Sequence, residues 1–293
     1  MTRLLLAGAT SHIANTLLPL LLSSPFVSHI VLLSRHSIRS ATLLANDKIT
    51  QVLHDPSAST PPFPDDLIAK LRDVHRVQAV VWCIGGALGR FKTFDEAQDA
   101  HVSLPLRFLE GCLEGGLVRT PAGLTGNSEG DREGEEAGGQ RQGEEGQAKG
   151  EGKRQRYIDP ESKRQPFRFV YFSTYNAVQD QFASLWGEAK FRRLKGAAEK
   201  ALLGLAEEKG QGMCEVYCLR IGRVLEGQTV ANVVRMGMGG CITDELLGRK
   251  VLSLCLGGRG DEKYGEKTGG GVLENEEVMG EGWAEINSVT ING

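Results

Sequence analysis

The chain has 293 residues, 40% of them hydrophobic and 24% charged, with a formal net charge of -3. That length and apolar content suit one full α/β core with an appendage, and the near-neutral balance gives no reason to expect a nucleic-acid surface. The apolar stretch at 17–22 is far shorter than the roughly twenty residues a membrane span requires, so no membrane partner is expected. A strand-like run stands at the very start and leaves no room for a targeting peptide, so a cytoplasmic location is expected.

Residues 3–7, RLLLA, read as a short apolar strand, and GATSHIA at 8–14 reads as a tight turn into a helix that continues to 22. In the GxxGxxG spacing of dinucleotide-binding turns, the first glycine makes the turn and the second lets backbone amides approach a pyrophosphate. The third lets helix and strand pack closely. Here Ser11 and Ala14 hold the second and third places, so one glycine remains. Gly8, Thr10, Ser11, His12 and Ile13 are therefore the candidate phosphate contacts.

A second apolar run at 30–33 completes a βαβ unit. Its last position usually carries Asp or Glu, which bonds the ribose hydroxyl of NAD. Here stand Ser34 and Arg35, followed by Arg39. With no carboxylate to repel a 2′-phosphate and a guanidinium placed to pair with it, the pattern favours NADP(H) over NAD(H). Arg35 and Arg39 also read as solvated surface charges.

A third strand at 49–54 ends in Asp55, whose carboxylate would face the adenine. A helix follows at 65–74. The nearly continuous apolar run at 77–84 suits a strand buried on both faces and ends in Gly85-Gly86. Helical apolar spacing then covers 94–114 despite Pro105.

From about 122 to 165 glycine and charge dominate, so a disordered insertion is expected, with a translated intron or a charged tether as other readings. Beyond it come a strand at 167–173, a long helix at 185–209 and a strand at 214–219. The six cysteines form no CxxC pair, which suggests buried thiols and neither zinc nor disulfides. The alternation predicts a doubly wound parallel sheet, a Rossmann domain over 1–227 interrupted by the insertion. Residues 228–293 would form a small substrate-side region.

Ligands of such a sheet bind beyond the carboxyl ends of the strands. Four places converge there: the Gly8 turn, the Cys83–Gly86 turn with Gly85, the run Ser173-Thr174-Tyr175-Asn176, and the helix carrying Lys190 and Lys195. The series GATSHIA, VVWCIGG, FVYFSTYNA, SLWGEAKFRRLKGAAEKALL and CLRIGRVLEG resembles an atypical short-chain dehydrogenase/reductase. It is similar to the fungal nucleoside-diphosphate-sugar-epimerase-like and NmrA-like group, over about residues 1–120 and 167–227.

The resemblance implies a serine that orients a substrate carbonyl, a tyrosine that exchanges its proton, and a lysine four residues later that holds the nicotinamide ribose. It places Ser173 and Lys195 at the serine and lysine positions. Phe191, without a hydroxyl, falls where the phenol belongs. The alternative register, Trp186 with Lys190, also lacks an acid. Tyr175 is then the candidate substitute acid.

His101 stands where relatives often carry Asn, or is simply a polar residue on a partly exposed helix face. Cys83 reads as packing. The resemblance thus implies an NAD(P)-binding oxidoreductase or epimerase with a non-standard proton donor and an unidentified small-molecule substrate. The alternative is a non-catalytic redox sensor of the NmrA-like kind that acts on a protein partner.

Overall fold

The computed structural model describes residues 1–118, 165–185, 187–227, 240–257 and 270–279. Apart from Gln165, the insertion expected at 122–165 lies outside the described residues, as does Trp186.

Strand β1 (Thr2–Ala7) shows why the apolar runs are continuous: Leu4 and Leu6 enter one core while Leu5 and Ala7 enter a second core on the other face. Strands β2 (Val27–Ser34), β3 (Ile49–Leu53), β4 (Ala79–Trp82), β5 (Phe167–Thr174) and β6 (Cys214–Ile221) are its partners in the main sheet. The strands β7 (Arg223–Leu225) and β8 (Cys241–Thr243) form a separate parallel pair. Strand β9 (Gly270–Leu273) completes the main sheet, whose order is β3-β2-β1-β4-β5-β6-β9 with every pair parallel. This is the doubly wound order, and it reverses between β1 and β4.

On one face lie helices α1 (His12–Ser23), α7 (Asp244–Leu256) and α8 (Asn275–Met279). On the other lie α3 (Asp65–Ala69), α5 (Leu104–Glu114) and α6 (Ala189–Gly210). The short helices α2 (Ala41–Leu44) and α4 (Phe94–Gln98) complete the α-helices among the described residues. Helix α6 starts later than the pattern at 185–209 suggests, because Gly187 and Glu188 hold left-handed φ values of 58° and 40° that no α-helix contains.

Between α4 and α5 the chain makes a π turn over Asp99–Ser103, immediately before Pro105. In a regular α-helix the amide of residue 105 would bond the carbonyl of His101. Proline has no such amide, so that carbonyl is free for another donor.

Leu246, Leu247, Val251 and Leu254 of α7 share a core with Leu17 and Leu21 of α1. A side chain at Gly248 would meet Leu20 at 2.2 Å, so the glycine permits this close helix contact. Strand β9 is the sheet's seventh strand.

Candidate functional site

Where the strand order reverses, a cleft of about 690 Å³ opens at the carboxyl ends of β1, β4, β5 and β6. Gly8 sets its inner wall. With φ at 79°, it presses the turn after β1 against the turn after β4, and a Cβ there would lie 2.9 Å from the Cys83 carbonyl carbon and the Ile84 nitrogen.

The amides of Gly8 and Ala9 both donate to the Leu33 carbonyl, so they are used inside the turn. Ser11 caps α1, its hydroxyl accepting from the Ala14 amide at 3.1 Å. The first-turn amides of His12 and Ile13 have no partner within the helix, and both residues line the cleft. The positive end of α1 therefore opens into it. Thr10 is exposed and outside the lining.

At the end of β2, Ser34 is buried. Its hydroxyl donates to the His36 carbonyl at 2.9 Å and accepts from Gln51 at 2.8 Å. Arg35 and Arg39 are exposed. The Asp55 carboxylate accepts from the hydroxyl and amide of Ser57 at 2.8 and 3.0 Å, which hold it below the usual carboxylate range, and the positive charges of Arg35 and His36 add to this.

The cleft floor is built by β5 and α6. Strand period places Phe169 and Tyr171 on the α6 side, and α6 brings Lys195 above them. The Lys195 ammonium donates to the Phe172 carbonyl at 2.8 Å and to the Tyr171 hydroxyl at 3.1 Å. Tyr171 in turn donates to the His101 carbonyl at 2.9 Å, the one released by Pro105. Burial lowers the Lys195 pKa to about 7, with the negative charge of Glu199 opposing the shift. Lys190, by contrast, is exposed and sits 6.0 Å from the Phe94 ring.

His101 corrects the expectation of a partly exposed helix position, being only 1% exposed. The π turn rotates it under the β4 turn, where Nε2 meets the Gly86 carbonyl at 2.9 Å. A carbonyl only accepts, so Nε2 carries the hydrogen and Nδ1 is a bare acceptor. Nδ1 is buried and has no partner among the described residues. Burial, aided by the charge on Lys195, lowers the pKa to about 3, so the ring is neutral. It sits edge-on to Phe191 at 5.5 Å.

Ser173 lines the cleft, yet its hydroxyl donates to Glu199 at 2.5 Å. Glu199 is fully buried and also binds Arg220 in an ion pair at 2.7 Å. Phe191 lines the cleft with its ring 5.9 Å from the Lys195 nitrogen. Tyr175 is 42% exposed and is not among the lining residues. Gly85 lines the cleft beside His101, and the Cys83 thiol is pushed up by burial.

Solved structures match nearly the whole chain. The carbonyl reductase Sniffer of D. melanogaster is 16% identical with a TM-score of 0.59, covering 94% of this chain and 97% of that one. The fold is Rossmann-type. An NADH-dependent reductase responsible for alginate metabolism is 12% identical with a TM-score of 0.57, covering 94% and 96%. A UDP-N-acetylglucosamine 4-epimerase from Bacillus cereus is 14% identical with a TM-score of 0.50, covering 95% and 82%. No protein-family model and no curated protein matches the chain.

Sequence reasoning missed Tyr171 and Glu199. Both were within reach, since Tyr171 shares a strand face with Ser173 and Glu199 lies one helical turn beyond Lys195. The β7 residues Arg223 and Val224, which line the outer cleft, had no such signal.

Proposed function

We propose that this protein is an NADP(H)-binding oxidoreductase or epimerase of the short-chain dehydrogenase/reductase type, acting in the cytoplasm on a small molecule. The observation that carries this reading is that the open amide end of α1 and the buried Lys195 face one cleft at the strand-order reversal. His12 and Ile13 amides would hold the pyrophosphate, Asp55 the adenine side, and Lys195 the nicotinamide ribose. Arg35, exposed at the end of β2, would pair with a 2′-phosphate. Such a dinucleotide supplies or removes hydride when bound.

One feature favours a second reading, a cofactor-binding redox sensor without turnover. Ser173 is held by Glu199, and Phe191 offers no proton.

Calorimetric titration with NADPH and NADH tests the cofactor assignment. Tighter NADPH binding supports it, and no binding of either overturns it. A carbonyl-substrate screen with the bound reduced cofactor then separates enzyme from sensor.

A further inference from the structure

With a phenyl ring at position 191, some other group in the cleft must carry the proton if the protein turns over. Tyr171 is fully buried and commits its hydrogen to the His101 carbonyl. Ser173 commits its hydrogen to Glu199, and His101 commits its one ring hydrogen to Gly86. Burial pushes the Cys83 thiol far above neutrality. Thr174 is an aliphatic alcohol, which does not ionise in water, and His12, at the start of α1, stands at the pyrophosphate end of the reading above.

Lys195 is different. Its ammonium has three hydrogens, of which two go to Phe172 and Tyr171. The third has no partner among the described residues, and on a side chain that lines the cleft next to Phe191 it would serve the nicotinamide ribose and the substrate oxygen as a bifurcated donor. His101 lines the same cleft, but its bare Nδ1 is buried beside Gly85, so the Lys195 N–H is the donor offered to a carbonyl oxygen.

We propose that Lys195 is the proton donor of this site, passing a proton directly or across one water to the substrate oxygen during carbonyl reduction. The assignment rests on the oxidoreductase reading above. The carbonyl carbon gains a hydride from the reduced nicotinamide dinucleotide, the π electron pair moves to oxygen, and an O–H bond forms as one Lys195 N–H bond breaks. The amine left behind keeps its two bonds to Phe172 and Tyr171 and regains a proton from solvent through the open cleft. The groups facing it are Glu199 on its own helix, Cys218 on β6, Tyr171 on β5 and His101 on the π turn. Burial among them keeps the ammonium poised near neutrality, where a general acid is most effective.

The test reads amine chemistry as well as turnover. The full chain is treated with acetaldehyde and cyanoborohydride over a range from about pH 6 to about pH 9, and ethylated lysines are quantified by peptide mass spectrometry. Lys195 should label with a midpoint near 7, well below exposed Lys190, and NADPH should protect it. A Lys195 profile matching Lys190, or no labelling of Lys195, overturns the assignment.

In the second arm, NADPH-dependent reduction of phenanthrenequinone should fall by roughly 10²–10⁴ in Lys195→Met, without rescue by Lys195→Arg. Undiminished rates in Lys195→Met, or no reduction by the NADPH-loaded wild type, overturn it. Failure of NADPH to bind in calorimetry removes the oxidoreductase reading itself, whereas binding with an unshifted Lys195 removes only the donor assignment.

Discussion

The Ser173 hydroxyl donates to Glu199 Oε1 at 2.5 Å, so the serine on the cleft wall is tied to a buried ion pair rather than left free. Arg220 grips both oxygens of the same carboxylate at 3.0 and 2.7 Å and reaches Glu274 at 2.7 Å, while Gln179 donates to Glu199 at 3.1 Å. The network joins β5, α6, β6 and the segment after β9.

Glu199→Ala should therefore destabilise the protein by about 3–5 kcal/mol, because it leaves Arg220 without its main partner in a desolvated place. Urea denaturation gives the number. The double variant Glu199→Leu with Arg220→Met should recover most of the loss, and Ser173→Ala should cost about 1 kcal/mol. A single Glu199→Ala cost below about 1 kcal/mol would show that the network carries little stability.

Arg35→Ala should weaken NADPH binding roughly tenfold to a hundredfold and leave NADH nearly unchanged, since a charge-assisted pair contributes about 1.5–3 kcal/mol. Calorimetry on both nucleotides checks it. Equal losses for the two would place Arg35 away from the 2′ position.

His101 should make the fold sensitive to acid. Its folded pKa of about 3 lies below the unfolded value of 6.5, so between those values the unfolded chain binds more protons and stability falls as pH falls. The slope from this one ring is at most about 1.4 kcal/mol per pH unit. His101→Phe should flatten the loss of urea midpoint between about pH 6 and about pH 4, and an unchanged slope would mean that other groups dominate.

Phe191→Tyr should raise NADPH-dependent carbonyl reduction chiefly above about pH 7, where the Lys195 ammonium is depleted, because a phenol would then stand beside the Lys195 amine. The pH profile is the sharper reading. In the native chain the donor must be protonated, so activity should be present below the Lys195 pKa of about 7 and decline above it. In the variant the decline should move to higher pH, and a variant profile identical to the native one would count against a proton role at position 191.

Much of the frame was legible in the residues alone. Leu4 and Leu6 alternate with Leu5 and Ala7 because a strand covered on both sides must feed two cores, and Gly8 and Ser11 announce the turn and the helix start by local backbone chemistry. Such signals act over a few residues, so they survive in sequence. They do not say how deep a side chain lies, which is why His101 was read as partly exposed.

The chemistry of the cleft was decided by the tertiary structure. Tyr171 and Lys195 are 24 positions apart, and Tyr171 and His101 are 70 apart. Pro105 could be seen to lack an amide, but only the docking of β5 under the π turn supplies the hydroxyl that takes its place. Periodicity determines which face of a strand or helix a residue occupies. Which polar group it meets, and how much water is excluded around it, depends on how distant elements pack, and those two quantities set the Lys195 and His101 pKa values.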